Sequence, residues 1–379
     1  MIASRSRDIE ASGIRRVFDL GAKLKDPINL SIGQPDFDVP DPIKEAAIQA
    51  IRSGRNSYTV TQGITELRQS IINQLVSEFS LDLTGEKPTH GLLVTSGVSG
   101  GLLLAMLALL DPGDEVVLPD PGFVLYKHVV RMAEGKAVFC DTYPDFRMTA
   151  DRVEPLLNEK TKAVLVNSPA NPTGVVNTQQ ELNELAELCR SRGVLLISDE
   201  IYDVFTYDEA LENGRSPSPV VSDRDVLLLR GYSKTYGMTG WRMGYAAGPA
   251  PLVAEMTKLQ QFSYVCAPSM AQVACVDAFS VDMSRYVKDY QHKRDLVVEK
   301  LSPVTELVTP GGAFYVFPKV PERLGMSATE LVEEAISRNV LIIPGVVFSS
   351  RDTHFRLSYA TSDAKLHAGL DILVELLTR

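Results

Sequence analysis

The sequence predicts an α/β protein, with a large domain built on a mostly parallel sheet that carries helices on both faces, and a smaller α+β domain. Short apolar runs alternate with longer amphipathic runs through the middle of the chain, which is the pattern of βαβ units. These short runs are apolar throughout, as in strands that are covered on both faces. The pattern changes beyond about residue 280, and a chain of 379 residues exceeds the usual size of one hydrophobic core.

The elements of the large domain follow one another in βα order. Strands are predicted at residues 91–95, 115–118, 137–140, 161–166, 194–198, 225–230 and 243–248. Helices are predicted between some of these strands, at about residues 99–110, 125–133 and 178–192. Helices that separate successive strands are typical of a parallel sheet.

The last hundred residues predict a different arrangement. Helices are expected at about residues 283–301 and 328–338 and from about residue 363, and strands at 314–317, 340–343 and 354–358. We therefore expect residues 46–279 to form the large domain. Residues 1–45 and 280–379 are expected to form the small domain with an N-terminal arm.

Composition excludes several classes of protein. A net charge of −10 and the absence of a long basic run argue against nucleic-acid binding. The longest apolar run, residues 102–110, falls well short of the roughly 20 residues that span a bilayer. The N-terminal charges are not followed by an apolar stretch, so no secretory signal is expected. Histidines are dispersed and no metal site is expected. The scattered cysteines indicate reduced thiols in a cytoplasmic protein: Cys140, Cys189, Cys266 and Cys275.

The segment 231–242 has the strongest chemical signal in the chain. It reads Gly-Tyr-Ser-Lys-Thr-Tyr-Gly-Met-Thr-Gly-Trp-Arg, and it places one amine, Lys234, next to the hydroxyl of Ser233. Arg242 follows eight residues after the lysine. An amine can form an imine with a carbonyl cofactor, and a guanidinium binds phosphate oxygens in a fork. The alternative is a surface lysine in a glycine-rich loop.

Ligands of open α/β sheets gather at the carboxyl ends of the strands, so the residues that follow each strand are informative. The strand at 91–95 is followed by Ser-Gly-Val-Ser-Gly-Gly and a helix, where free backbone N–H groups and the helix dipole can bind an anion. Alternatively, Ser99 only caps that helix. The Gly-x-Gly-x-x-Gly spacing and a Gly-Lys-Ser/Thr ending are both missing, which weakens nicotinamide and nucleotide interpretations.

Two further strand ends carry polar groups. Asn171 follows the strand at 161–166 in a turn stiffened by prolines, and its amide can donate to a phenolate-like oxygen. Asp199 comes directly after a buried strand, where an acid is costly unless a partner such as a protonated ring nitrogen compensates it. Tyr202 can donate to the hydroxyl oxygen of the same ring. An ordinary Asn-Pro turn and a helix-capping acid are the alternatives.

One molecule combines an imine carbon, a ring cation, a ring oxygen and a phosphate, and that molecule is pyridoxal 5′-phosphate. The chain resembles the class I/II aminotransferases of the fold-type I pyridoxal-phosphate enzymes over essentially its whole length. The resemblance rests on three signatures: Asn171-Pro-Thr-Gly, Asp199-Glu-Ile-Tyr and Ser233-Lys-x-x-Gly-Met-Thr-Gly-Trp-Arg.

The resemblance implies a role for each matching residue. Lys234 would form the imine and then transfer protons, and Asp199 would pair with the ring nitrogen. The other residues implied to bind the cofactor are Val98, Ser99, Ser233 and Arg242 at the phosphate, Asn171 and Tyr202 at the ring oxygen, and Phe123 stacked on the ring. Many relatives have serine at the position of Gly231, so Ser233 and Arg242 are expected to carry more of the phosphate binding here.

The resemblance also implies the substrates and the assembly. Arg356 would bind the α-carboxylate of the amino acid and 2-oxo acid substrates, together with Asn171 and the backbone of Gly33. Tyr58, in a Tyr-Thr-x-x-x-Gly-Ile segment, resembles the tyrosine that reaches the phosphate of the neighbouring subunit. A homodimer with shared active sites is therefore expected.

The side chain of the substrate is predicted from what the sequence lacks. Some dicarboxylate-specific relatives place lysine at the position of Ser99, and serine cannot pair with a distal carboxylate. Together with Ile14, Val17 and Phe18 near the entrance, this favours a neutral or aromatic amino donor, with 2-oxoglutarate as acceptor in a ping-pong reaction. A pyridoxal-phosphate lyase, synthase or decarboxylase remains an alternative. An effector-sensing module of a regulator is disfavoured, since too few residues precede Ser31 for a DNA-binding domain.

Overall fold

A computed structural model describes residues 2, 4–7, 9, 13, 24–79, 81–223 and 225–379 of the chain. Within these residues the strands are β1 Ile28–Asn29, β2 His90–Ser96, β3 Glu115–Asp120, β4 Lys136–Asp141, β5 Thr161–Asn167, β6 Leu195–Asp199, β7 Leu227–Gly231, β8 Met243–Pro249, β9 Tyr315–Val316, β10 Val340–Leu341, β11 Ile343–Pro344 and β12 Phe355–Ser358. The α-helices are Ser4–Arg7, Asp41–Arg52, Thr65–Phe79, Gly97–Leu109, Leu125–Met132, Ala150–Val153, Gln179–Ser191, Tyr232–Thr235, Ala250–Gln261, Ser269–Ala274, Ser284–Leu301, Ala328–Ser337 and Asp363–Thr378.

The central sheet of the described chain has seven strands in the order β2-β8-β7-β6-β5-β3-β4. Strand β8 is antiparallel to β2 and β7, and the other neighbours pair in parallel. The predicted mostly parallel sheet is confirmed, and each of its predicted strands is present with ends that differ by one or two residues. Strands β5, β6 and β7 lie side by side, so their carboxyl ends meet at one edge of the sheet.

Alternate side chains of the sheet enter two separate hydrophobic cores, because successive residues of a strand point to opposite faces. Leu92 and Val94 belong to one core, which helices Asp41–Arg52, Thr65–Phe79, Gln179–Ser191 and Ser269–Ala274 cover. Leu93 belongs to the other core, which helices Gly97–Leu109, Leu125–Met132 and Ala250–Gln261 cover. Helices on both faces were predicted and are confirmed.

The C-terminal part has its own core. Strands β11, β12 and β9 form an antiparallel sheet, and β1 pairs in parallel with β10. Leu30 from the N-terminal part packs in this core with the C-terminal helices. We propose that the two domains follow these cores, with residues 46–279 as the large domain, although Val39 and Ile43 already pack with the large sheet.

The structure differs from the prediction in three places. The single strand predicted at 340–343 is wrong: β10 and β11 belong to different sheets, and an apolar run cannot show where a strand changes partners. Seven of the described α-helices were not predicted: the four longer ones Asp41–Arg52, Thr65–Phe79, Ala250–Gln261 and Ser269–Ala274, and the single turns Ser4–Arg7, Ala150–Val153 and Tyr232–Thr235. The helix after β2 begins at Gly97 and not at Ser99, so Ser99 lies in its first turn.

No helix in the described part of the chain is long and apolar enough to cross a membrane. The same residues contain no group of three or more His, Cys, Asp or Glu side chains that could hold a metal ion. The cysteines Cys140, Cys189, Cys266 and Cys275 are free thiols.

A buried ionic network lies next to the strand ends. Arg230 of β7 is 4% exposed, and its guanidinium donates two hydrogen bonds to Glu78, at 2.8 and 2.9 Å. It donates two more to Glu200, at 3.0 and 2.8 Å, and lies 3.2 Å from Asp203. Burial raises the pKa of Glu200 and that of Asp203, against the opposing charge of Arg230. The network joins β7 to the residues that follow β6 and to helix Thr65–Phe79.

We expect Arg230→Met to lower the free energy of unfolding by about 3–5 kcal/mol, because buried carboxylates lose the charge that compensates them. Chemical denaturation monitored by circular dichroism measures this change. Arg190→Met is the control, since Arg190 pairs with Glu187 on the surface and such pairs contribute about 1 kcal/mol or less. Equal destabilisation by the two substitutions would contradict the importance of the network.

Candidate active site

A cavity of roughly 320 Å³ lies at the carboxyl ends of β5, β6 and β7. This is the position that ligands occupy in open α/β sheets. The cavity brings together eleven residues that were predicted from the sequence: Gly33, Val98, Ser99, Phe123, Asn171, Asp199, Tyr202, Ser233, Lys234, Arg242 and Arg356. They come from strand ends, helix starts and the N-terminal and C-terminal parts of the chain, so the fold gathers them into one place.

Lys234 lies in the helical turn Tyr232–Thr235, directly after β7. Its Nζ donates a 2.5 Å hydrogen bond to the carbonyl oxygen of Gly33 and lies 5.9 Å from the centre of the Tyr202 ring. Burial lowers the pKa of Lys234 to about 8, and the positive charges of Arg356 and Arg242 act in the same direction, against Asp199. More of the amine is therefore neutral near neutral pH, which is the form that attacks a carbonyl.

Asp199 ends β6 and is buried in the cavity wall. Its Oδ2 accepts a 2.8 Å hydrogen bond from the hydroxyl of Tyr126, and its Oδ1 accepts one of 3.2 Å from the backbone N–H of Ile201. Burial raises the pKa of Asp199 to about 6, although Tyr126, Ile201 and the charge of Lys234 act to lower it. A cationic ring nitrogen placed against this buried carboxyl group would favour its ionised form.

Arg356 of β12 forms one end of the cavity and is 1% exposed. Its Nη1 donates to Oδ1 of Asn171 at 2.9 Å, and its Nη2 donates to the carbonyl oxygen of Ser31 at 2.7 Å. Its buried Nε has no hydrogen-bond partner. The guanidinium also lies over the rings of Tyr315 and Phe348, at 4.6 and 4.8 Å. A buried guanidinium with a free N–H is suited to binding a carboxylate.

The start of helix Gly97–Leu109 and Arg242 form the other end. Arg242 donates to the carbonyl oxygen of Thr239 at 3.1 Å and to that of Ser96 at 3.5 Å. A Cβ atom on Gly97 would lie 2.4 Å from Nη2 of Arg242, so only glycine lets the guanidinium approach the helix start this closely. Free N–H groups in a first helical turn and an adjacent guanidinium make an anion site.

The glycine that replaces the serine of many relatives is tightly enclosed. A Cβ on Gly231 would lie 3.0 Å from Cδ1 of Ile201, 3.1 Å from the carbonyl oxygen of Met243 and 3.2 Å from Cγ2 of Val98. A serine would require these neighbours to shift.

Sequence reasoning missed three residues of the site. Tyr126 hydrogen-bonds Asp199, and Asn167 donates from Nδ2 to the backbone oxygen of Asp199 at 2.8 Å. The hydroxyl of Tyr315 lies 2.9 Å from that of Tyr202. Asn167 ends β5 and could have been found as a polar residue at a strand end. No local signal marked the two tyrosines.

One predicted residue, Tyr58, does not line the cavity, and three others lie outside the described residues. Tyr58 is 84% exposed, on the surface of the chain. Ile14, Val17 and Phe18, which were expected near the entrance, lie outside the residues that the structure describes.

An amine of lowered pKa, a buried acid beside it and anion sites at both ends are what a pyridoxal-phosphate enzyme requires of its protein. The comparisons with known proteins agree with this class. The family model for class I and II aminotransferases matches residues 25–373. The chain is 34% identical to an aspartate aminotransferase of Pyrococcus abyssi, over 97% of this chain and 96% of that one. It is 32% identical to an aromatic-amino-acid aminotransferase of Thermococcus litoralis, over 99% and 98% of the two chains.

A solved structure is also similar. Aspartate aminotransferase from Thermus thermophilus with maleate has a TM-score of 0.91 and 33% identity, with 99% of each chain covered. The chain therefore belongs to the class I and II aminotransferase family, and it is a pyridoxal-phosphate-dependent aminotransferase of fold type I.

Proposed function

We propose that this enzyme transfers the amino group of a neutral or aromatic L-amino acid to a 2-oxo acid in a ping-pong reaction. The observation that carries this proposal is the shared cavity of Lys234, Asp199 and Arg356, which together provide an amine, an acid and a carboxylate site.

The residues of the cavity fit pyridoxal phosphate in chemistry and in order. The helix start at Val98 and Ser99, together with Ser233 and Arg242, would hold the phosphate. At the other end of the ring, Asp199 would face the nitrogen. Phe123 would lie on the ring face. Asn171 and Tyr202 would hold the ring oxygen. Oδ1 of Asn171 accepts the hydrogen bond of Arg356, which leaves Nδ2 of Asn171 to donate to the ring oxygen. Burial raises the pKa of Tyr202 well above its ordinary value, so its hydroxyl keeps the proton that it would donate.

The bound cofactor supplies an aldehyde that takes up the amino group and a ring that withdraws electrons from the reacting carbon. Lys234 is the residue that moves the proton: its Nζ has a lowered pKa, so the neutral amine can accept the α-proton of the substrate. Asp199, held by Tyr126, keeps negative charge at the ring nitrogen. Arg356 and the backbone of Gly33 orient the α-carboxylate, with Gly33 also in contact with Lys234.

The charges of the cavity support a neutral or aromatic donor. Its cationic lining residues are Lys234, Arg242 and Arg356, and each has a role in the binding described above. Ser99 adds no charge, so no cation among the described lining residues remains for a distal carboxylate. Burying an unpaired carboxylate is costly. Relatives carry both aspartate and aromatic-amino-acid names, so their names do not decide between these donors.

We also propose a cytoplasmic homodimer in which Tyr58 reaches the phosphate of the neighbouring subunit. Tyr58, Val60 and Phe262 are large hydrophobic side chains that are mostly exposed in the single chain. Exposed apolar side chains in one area are typical of a protein–protein interface. A second copy that covers them would bury these side chains and supply the hydroxyl.

The donor is tested by reacting the holoenzyme with single amino acids and recording the loss of its visible absorbance band. We expect kcat/KM for phenylalanine or leucine to exceed that for aspartate by about tenfold or more, because a distal carboxylate is desolvated without a partner. Alanine serves as a small neutral control. A preference for aspartate would contradict the proposed donor class.

The reaction products distinguish amino transfer from the alternative lyase, synthase or decarboxylase reaction. Stoichiometric formation of the amino acid that corresponds to the 2-oxo acid acceptor, with 2-oxoglutarate and 2-oxo acids of neutral side chain compared, supports transfer. Ammonia, pyruvate or carbon dioxide as the main product would instead show a lyase or a decarboxylase on this scaffold.

A further inference from the structure

The segment that carries Tyr58 is held by a buried glutamine. Gln272, which is fully buried, donates from Nε2 to Oγ1 of Thr59 at 2.9 Å and accepts at Oε1 from the backbone N–H of Ile64 at 2.8 Å. Its Nε2 also donates to the carbonyl oxygen of Ala267 at 2.8 Å. One side chain thus fixes both ends of residues 59–64.

A second buried glutamine holds the middle of the same segment. Gln260 donates from Nε2 to the carbonyl oxygen of Thr61 at 2.8 Å and to that of Val94 at 3.0 Å. The backbone N–H of Val94 donates in turn to the carbonyl oxygen of Gln62 at 3.0 Å. Val94 belongs to β2, whose end leads into the helix start of the cavity. The segment is therefore attached to the strand that positions the anion site.

Packing leaves the segment no room to move toward the core. Gly63 has φ +106°, and a Cβ atom on it would lie 2.5 Å from Cγ2 of Val94 and 3.3 Å from Oε1 of Gln272. In the Tyr-Thr-x-x-x-Gly-Ile segment, the threonine and the isoleucine are thus hydrogen-bonded to Gln272, and the glycine is enclosed by Val94 and Gln272. Tyr58, in contrast, is mostly exposed to solvent.

We propose that Gln272 and Gln260 are positioning residues that hold Tyr58 in the orientation in which it enters the cofactor site of a second copy of the chain. This inference rests on the proposed homodimer. Two buried amides and a glycine of positive φ hold a segment whose aromatic residue, Tyr58, is 84% exposed in the single chain. Fixing the segment before association lowers the entropy cost of placing the hydroxyl at the phosphate.

The test is a double-mutant cycle on the affinity of the cofactor-free protein for pyridoxal phosphate. Tyr58→Phe removes the hydroxyl. Thr59→Val removes the acceptor of the Gln272 hydrogen bond, together with the local bond from Oγ1 of Thr59 to the carbonyl oxygen of Val60, with little change of shape. Gln272→Leu removes both hydrogen bonds that Gln272 makes to the segment and leaves those of Gln260. We expect Tyr58→Phe to raise the dissociation constant about tenfold, as for one hydrogen bond to a charged group, and Gln272→Leu to raise it by a similar factor.

The double variants with Tyr58→Phe decide whether Gln272 acts through Tyr58, because a residue that only positions the Tyr58 hydroxyl has no effect on cofactor binding once that hydroxyl is removed. Thr59→Val or Gln272→Leu should weaken binding when Tyr58 is present and should have no further effect in the Tyr58→Phe background. Gln179→Leu is the matched control, since Gln179 holds the backbone of Ser218 through similar hydrogen bonds elsewhere. It should leave the dissociation constant unchanged.

Two contrary results are distinguishable. If Tyr58→Phe weakens binding and the glutamine substitution adds its full effect to it, the positioning role is overturned while the shared site stands. If Tyr58→Phe binds the cofactor with wild-type affinity, the shared site fails, and the positioning role fails with it. Should Gln272→Leu not fold, Thr59→Val alone answers the question, because Thr59 is only partly buried and its replacement has the same shape.

Discussion

Lys234→Ala is expected to abolish the visible absorbance of the holoenzyme and to lower kcat by roughly 10⁴-fold or more, because both the attachment of the cofactor and the proton transfer depend on this amine. Its Nζ is positioned by the carbonyl oxygen of Gly33 and made nucleophilic by burial. Absorbance spectra and steady-state rates with a saturating donor measure the two effects. Borohydride reduction of the wild type followed by peptide mapping should label residue 234.

A buried lysine outside the cavity provides the control. Lys293 is 5% exposed, and its Nζ lies 2.8 Å from Asp289 and 3.1 Å from Asp36. Although burial opposes it, these carboxylates hold the pKa of Lys293 above its ordinary value, so its amine stays protonated. Lys293→Met should therefore keep the absorbance band and the label. A label on any lysine other than Lys234, or turnover that survives Lys234→Ala, would refute the assignment.

Asp199→Ala is expected to lower kcat by about 10³-fold, the size of a lost electrostatic contact in the transition state, while the cofactor stays attached. The reason is that the ring nitrogen loses the carboxylate that keeps it protonated, so the ring withdraws electrons less well. Tyr126 also loses its acceptor, since its hydroxyl donates to Oδ2 of Asp199. Single-turnover rates separate this slowed step from substrate binding.

An altered cofactor distinguishes the electrostatic role from a structural one. A derivative that is methylated at the ring nitrogen carries a permanent positive charge and needs no carboxylate. The space vacated in Asp199→Ala can hold the methyl group. The derivative should restore much of the lost rate in this variant and none of it in Lys234→Ala. If it restores nothing in Asp199→Ala although it binds, the acid does more than stabilise a charge.

Local patterns in the sequence were sufficient to predict much of the fold. The seven strands of the large sheet were predicted because each is a short apolar run. Such a run can be recognised from a few consecutive residues, without knowledge of its partners in the sheet. The helices at 41–52 and 250–261 were missed although both have apolar positions buried against the sheet. The division of 340–343 between two sheets was also missed, because it depends on partners far away in the chain.

The sequence by itself determined which reactive groups stand at the strand ends: Lys234 after β7, Asp199 at the end of β6 and Asn171 after β5. Those positions follow from the order of residues within single segments. Only the tertiary structure decided what each group contacts, since Tyr126 meets Asp199 across 73 residues of chain and Gly33 meets Lys234 across 201. Such contacts arise when separate cores pack together, and no local pattern encodes them. The lowered pKa of Lys234 has the same origin, because it is produced by burial and by charges brought from distant segments.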